Sequence, residues 1–251
     1  MDGDAHDIGV AVAMVSHGST ARPCGGSRPV GPCDNPRRPH ARAGVVLLLE
    51  PGMSIVVRDV REHELDSVLA LNNAAGPAIL PLDASRLAHF FEAAEYFRVA
   101  ERDGAMVGFL VGFGSGSGHD SSNYRWFCER NPDFFYIDRI VVASRRRGGG
   151  VGRAFYADAQ SYAELRYPHM ACEVLLDEVH DPALLFHGSF GFREVGQHVM
   201  DETGLRAAML MKDLCSYAWV HQTYGHALPD APWIPQARST APDLRVRGAC
   251  R

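Results

Sequence analysis

The sequence predicts a mixed α/β sheet of seven strands with helices on both faces, and three observations carry that reading. From residue 54 onward, β-rich apolar runs alternate with runs at helical spacing, in the order β-α-α-β-β-β-α-β-α-β-β. An Asp103-Gly104 pair between two such β-rich runs marks a tight antiparallel hairpin. Residues 134–153, FFYIDRIVVASRRRGGGVGR, pass from a β-branched and aromatic strand into arginines, then glycines, then a helix, which is how a phosphate-binding turn is built.

Each element follows from local pattern. The first strand covers residues 54–60. A helix over about 62–75 sets Leu65, Val68, Leu69 and Asn72 on one face and stops at Gly76-Pro77. A second helix, about 83–94, starts at the N-cap Asp83 and buries Leu87, Phe90 and Phe91. Strands 97–101 and 106–113 make the hairpin. The Gly-Ser-rich loop 114–118 opens into a short helix near 122–129 that carries Tyr124, Trp126 and Phe127. After strand 134–142 comes a helix over 154–166, with Phe155, Ala159, Tyr162, Ala163 and Leu165 at roughly helical spacing. A fifth strand (170–176), a helix (about 182–190) and strands near 193–200 and 207–214, joined by a turn at 201–204, complete a domain over 54–215.

The flanks read differently. Within residues 1–52, a stretch dense in Gly, Pro, Ser and Arg (17–44) separates two apolar patches and cannot build a core. A disordered arm is expected there, or a start assigned too early, since Met53 directly precedes the first strand. Residues 216–251 hold Pro229, Pro232, Pro235, Pro242 and two tryptophans without a sustained period, so a poorly structured C-terminal extension is expected.

Composition narrows the function classes. The chain has 251 residues, of which 46% are hydrophobic and 22% charged, which suits one soluble domain with extensions. A net charge of −5 argues against a nucleic-acid partner held through phosphates, and no apolar run is long enough to span a membrane. The six cysteines form no CxxC pair, and the acidic start Met1-Asp2-Gly3-Asp4 differs from a basic secretory leader, so reduced thiols and a cytoplasmic location are expected. His17, Cys24, Cys33 and His40 match no zinc module, and no metal is expected.

The glycine turn carries the chemistry. A helix start leaves its first NH groups unpaired and bears about half a positive charge, so glycines there let an anionic phosphate approach the backbone. Spacing separates the possible phosphate loops. A P-loop needs Lys then Ser or Thr after its last glycine, but Arg153-Ala154 follows Gly152; a dinucleotide fingerprint needs a third glycine where Arg153 stands. Arg147-x-x-Gly150-x-Gly152, after a strand ending in Val141-Val142, resembles the acyl-CoA pyrophosphate loop of the GNAT N-acetyltransferase superfamily. Some thirty residues on, Asp181-Pro182-Ala183-Leu184-Leu185-Phe186-His187 and then Gly191-Phe192 resemble the family's second motif, which has an Asn-like residue, a small residue, an aromatic-Tyr pair and Gly-Phe. Tyr124, Trp126, Phe127 and the Phe186-His187 pair are similar in particular to a group of bacterial GNAT proteins.

The resemblance implies the GNAT acyl-CoA N-acyltransferase fold, a seven-stranded mixed sheet with a V-shaped splay between strands 4 and 5. It implies acetyl-CoA as co-substrate. Backbone amides of Ile140, Val141 and Val142 would meet the thioester and pantetheine, and Arg147, Gly148, Gly149, Gly150, Val151, Gly152 and Arg153 the pyrophosphate. Asp181 and Phe186 would also line the coenzyme. Arg145 and Arg146 either reach the adenosine phosphates or form a solvated basic turn.

His187 occupies the position of the Tyr that commonly protonates the leaving thiolate. Its side chain titrates near 6.5 and a thiol near 8.5, so donation is feasible, and a helix C-terminus would favour the imidazolium. A buried structural histidine is the other reading. For the base, Asp138 and Glu173 are the candidates, with a water chain as a further option. Asp138 has the strand parity of Tyr136, Ile140 and Val142, so it should share their face, yet either carboxylate could instead pair with Arg139 or Arg166.

The acceptor pocket is expected between the first two helices and the loop 114–133, with Asn72, Asn73, Tyr124 and Trp126 touching the substrate; Trp126 and Phe127 could equally staple the loop to the core. The implied reaction moves an acetyl group from acetyl-CoA to a primary amine of a small-molecule or amino-acid-like acceptor, by direct attack in a ternary complex, on a monomer or homodimer. A non-catalytic acyl-CoA-binding regulatory module is the competing reading.

Overall fold

The computed structural model describes residues 54–76, 79–176, 182–201, 203–225, 227–229, 231, 234 and 237. Residues 1–52, including the histidines and cysteines weighed as zinc ligands, lie outside them. Strand β1 (Ile55–Asp59) pairs antiparallel with β2 (Tyr96–Arg102), and β2 with β3 (Ala105–Gly114). The turn between β2 and β3 holds Asp103 at φ 55° and Gly104 at φ 74°, the left-handed pair that a two-residue hairpin demands. Next come β4 (Phe135–Val142), antiparallel to β3, then β5 (His169–Leu175), parallel to β4. Strands β6 (Arg193–Val199) and β7 (Arg206–Asp213) close the sheet in the order β1-β2-β3-β4-β5-β7-β6, so seven strands form one mixed sheet, as expected.

Helices cover both faces. On one lie α1 (Leu65–Asn73), α2 (Ala84–Ala93) and α3 (Ser122–Cys128), which bury Val68, Leu87, Phe90 and Phe127 against Phe97, Phe109 and Phe113 of the sheet. Asp83 caps α2 as its residue type predicts, accepting from the Arg86 NH at 2.7 Å. On the other face lie α4 (Val151–Ala163) and α5 (Pro182–Ser189), with Phe155, Tyr156, Tyr162 and Phe186 against Tyr96, Leu110, Phe135 and Met170. Each such aromatic side chain contributes roughly 1.5–3 kcal/mol by leaving water.

Two expectations change. Helix α4 starts at Val151, three residues before the predicted 154, because Gly150 itself takes the N-cap at φ 84°. Part of the C-terminal extension is regular: α6 (Tyr217–Tyr224) buries Val220 and packs Tyr217 against the α4-side core. A short amphipathic turn needs only one or two buried side chains to be held, which is too little to show as a period. Among the described residues, no helix is long and apolar enough to cross a membrane.

A bulge in β4 sets the centre of the sheet. Val111 pairs with Arg139 and Gly112 with Ile137, which leaves Asp138 as the extra residue. A bulge breaks the side-chain alternation. Tyr136 packs on the α1-side face, whereas Ile140 and Val142 pack on the α4-side face. The parity that grouped Asp138 and Tyr136 with Ile140 and Val142 therefore fails at the bulge.

Beyond the bulge the two parallel strands part. Strands β4 and β5 share only the rungs Phe135–Met170, Tyr136–Ala171 and Ile137–Cys172, while β4 follows β3 to Val142 and β5 follows β7 to Leu175. The facing backbone edges of residues 138–142 and 173–175 border an open V, which is the predicted splay.

Gly112 is the partner that makes room. A Cβ there would stand 2.2 Å from the Phe135 ring, itself fully buried. Gly112→Ala should lower stability by about 1–3 kcal/mol in urea unfolding, because the ring must leave its packed position; an unchanged midpoint would show that the ring is not pinned.

Candidate active site

The turn before α4 has the makings of an anion site. A 3-10 turn (Ser144–Arg146) leads into Arg147, Gly148 at φ 75° and Gly150 at φ 84°. With glycine as N-cap, no side chain caps the first turn of α4, so its leading NH groups point outward unopposed. Gly149 lies against the buried Arg102, whose Nη1 would stand 2.6 Å from an added Cβ. Arg147 is half-buried, and desolvation lowers its pKa. Among the described residues, no carboxylate forms an ion pair with it. A cation in that state, beside a helix N-terminus, fits a diphosphate. Arg145 is exposed, and Arg146 leans toward Asp103 at 3.8 Å. Asp181 lies outside the described residues. Phe186 is buried in the packing of α5 against α4.

The open V adds an amide-lined channel at the same end of the sheet. The β5-facing edge of Ile140, Val141 and Val142 has no strand partner, so backbone NH groups there can meet a carbonyl or an amide chain. Both sets of groups suit an anionic carrier with an amide-rich arm.

Two carboxylates stand at the vertex with opposite tendencies. Glu173 accepts a hydrogen bond from the Tyr136 hydroxyl at 2.7 Å. Desolvation, then the charge of Asp138, push its pKa up to about 8, against the opposing pull of Tyr136, Asn123 and Arg139. Desolvation also acts upward on Asp138, but Arg139 (Nε to Oδ2, 2.7 Å) and His119 (Nε2 to Oδ1, 2.9 Å) outweigh it and hold this carboxyl below the usual carboxylate range. Asp138 stays ionised and committed to its partners; Glu173 is tuned toward neutrality, as proton transfer at neutral pH requires.

His187 sits elsewhere, buried on α5. Its Nδ1 lies 2.6 Å from the Ala183 carbonyl oxygen, which can only accept, so Nδ1 carries the proton. Burial lowers its pKa despite that bond. The expectation that the helix end favours an imidazolium is thus reversed: desolvation wins, and the ring is neutral with a bare Nε2.

The four residues expected at the acceptor pocket each make contacts within the fold. Asn72 is buried; its Nδ2 donates to Asn73 Oδ1 (2.9 Å) and the Leu80 oxygen (3.2 Å), and its Oδ1 accepts from Arg139 (2.9 Å). Asn73 accepts from the Leu82 NH and donates to the Leu82 oxygen, both at 2.9 Å. Tyr124 is buried and donates to the Gly114 oxygen at 2.9 Å. Trp126 covers Gly196 of β6, where a Cβ would approach it within 2.8 Å, and stacks under Arg130 at 4.2 Å.

Sequence reasoning missed two residues on this face. The His119 ring is fully enclosed, stacked on Phe113 at 4.1 Å, with Nδ1 lacking a hydrogen-bond partner among the described residues. Asn123 is buried beside Glu173 and acts on its carboxyl as a hydrogen-bonding side chain that pulls the pKa down. The only available signal was a polar residue on the inward side of a short aromatic helix. Among the described residues, no group of His, Cys, Asp and Glu side chains could hold a metal ion.

Known proteins place the architecture. No curated protein matches the chain in sequence. Among solved structures, Ard1 from Thermoplasma volcanium superposes with a TM-score of 0.52 at 19% identity, covering 64% of this chain and 97% of that one. A ribosomal-protein-alanine N-acetyltransferase from Brucella melitensis superposes with a TM-score of 0.50 at 25% identity, covering 63% of this chain and 99% of that one. The first of these shows the fold alone. A model of the Acetyltransferase (GNAT) family matches residues 65–192, a span that runs from α1 through the bulge, the glycine turn and α5. With half the chain matched and the open V in place, this protein belongs to the GNAT acetyltransferase family.

Proposed function

We propose that the protein transfers an acetyl group from acetyl-CoA to a primary amine of a small-molecule or amino-acid-like acceptor, by direct attack within a ternary complex. The observation that carries this is the vertex itself: one V brings together an uncapped helix start, an unpaired backbone edge and a carboxyl poised near neutrality. Acetyl-CoA supplies the activated thioester. Arg147 and the NH groups of Gly150, Val151 and Gly152 hold the diphosphate; amides of residues 140–142 orient the carbonyl and stabilise charge on its oxygen. Glu173 removes the proton from the attacking amine, and Tyr136 and Asn123 aim its carboxylate. Burial first, and then the like charge of Asp138, keep Glu173 protonated at rest, so Asp138 supports the base rather than acting as one.

The acceptor approaches from the α1–α3 face, on which Glu173 is held by Tyr136. The name of the Brucella relative favours a second reading, the α-amine of a peptide. Release of free CoA with amino acids, polyamines and short peptides decides between them, and release with none of them would favour a module that binds acyl-CoA without turnover.

Gly150→Asp puts bulk and negative charge at the helix start, in a backbone conformation that strains any L side chain. Calorimetry should then detect no acetyl-CoA binding; retained affinity would refute the assignment of the turn. The Glu173 base must be ionised to work, so its raised pKa predicts that kcat/KM climbs with pH and levels off above about 8. Glu173→Gln should lower kcat by about 10²-fold or more and abolish that climb, measured with an acceptor amine that titrates well away from 8. A climb that survives in the variant would assign it to another group.

A further inference from the structure

The glycine run before α4 contains one glycine that backbone conformation does not explain. Gly148 and Gly150 have positive φ, at 75° and 84°, whereas Gly149 between them does not. Close approach is what keeps a side chain out of position 149: a Cβ there would stand 2.6 Å from Arg102 Nη1 and 3.2 Å from the Arg146 carbonyl oxygen. Arg102 is the last residue of β2 and only 6% exposed. It pairs with Ile55 of β1, which packs on the α4-side face, and cross-strand partners share a face. A Cβ at Gly150 would meet Ile55 Cδ1 at 3.8 Å. Two successive residues of the turn therefore rest on one rung of the β1–β2 pair. The ion pair of Arg146 with Asp103, at 3.8 Å, ties the same end of β2 to the turn.

We propose that Arg102 is a positioning residue for the coenzyme, a fixed positive charge beneath the glycine turn that draws the diphosphate onto the start of α4. The inference rests on the acetyl-transfer reading above and adds to it a residue remote in sequence from the turn. A guanidinium keeps its proton at any pH the enzyme meets, so the charge is permanent. Arg102 is enclosed against the turn, so water and salt screen its field weakly there. Gly149 carries no side chain to push the guanidinium away, which is the physical reason for a glycine at a position of ordinary φ. Arg147 works differently. It is half-buried beside the turn and can meet the phosphates directly, whereas Arg102 acts across Gly149 through space. Both cations and the α4 dipole then act on one anion. A thioester carrier without phosphates gains nothing from Arg102.

Three variants of the full chain test this by calorimetry with acetyl-CoA and, by competition against it, with S-acetylpantetheine, which has the same thioester arm and no phosphate. Arg102→Met and Arg102→Gln, one apolar and one polar, remove the charge and should each weaken acetyl-CoA by about 10-fold. Arg102→Lys keeps the charge and should recover most of that loss. Affinity for S-acetylpantetheine should be the same in all three variants as in the parent. Unchanged acetyl-CoA affinity in the neutral variants overturns the proposal. So does a Lys variant as weak as the neutral ones, which would assign the effect to shape, and so does an equal loss for S-acetylpantetheine, which would assign it to the fold of the site. If the parent itself does not bind acetyl-CoA, the acetyl-transfer reading falls; if the parent binds it and the neutral variants bind it equally, only the role of Arg102 falls.

Discussion

Strand β4 cannot satisfy two neighbours at once, and the rest of the site depends on that constraint. The bulge at Asp138 adds a residue to a strand that remains paired with β3, and beyond it β4 has no further rung with β5. Unpaired backbone at the middle of a sheet is unfavourable unless something else meets those groups. Here the exposure is confined to one end of two adjacent strands, and the same end carries the uncapped start of α4.

The bulge is pinned by a buried polar network rather than by apolar contact alone. Asp138 and Arg139 sit side by side at the bulge, and both turn to the α1-side face. Arg139 reaches Asn72 and lies over the Phe90 ring at 5.0 Å, while Asp138 reaches His119. A buried ion pair adds little stability by itself, because desolvation offsets the attraction, but removal of one member leaves an uncompensated charge. Such a network is therefore better at specifying one register than at strengthening it. It also has an electrostatic consequence, since the ionised Asp138 helps to keep Glu173 protonated.

The two faces of the sheet divide the chemistry. The α1–α3 face presents Glu173, Tyr136 and Asn123, all polar and enclosed by aromatic rings. The α4–α5 face presents the glycine turn. Only the gap between β4 and β5 connects them.

Much of the fold could be read from the chain by itself. Strand and helix periods, the Asp103-Gly104 turn and the Arg-Gly run before α4 depend on residues close together in sequence, so their conformational preferences survive in a string of letters. The glycines at positive φ were legible for the same reason. What the chain could not reveal was which polar residues are consumed by structure. Asn72, Asn73 and Tyr124 have the chemistry of ligand contacts, but their partners lie eight to ten residues away or on another strand. Nor could it reveal the bulge, which exists only as a mismatch of register between β3 and β4 and which reverses the face on which later residues lie. The opposite pKa tendencies of Asp138 and Glu173, and the neutrality of His187, follow from desolvation and from charges brought near through space. Local sequence determined the elements and the glycine turn; the tertiary structure alone decided which carboxyl is held ionised and which is pushed toward neutrality, because burial is a property of the packed chain and not of any residue within it.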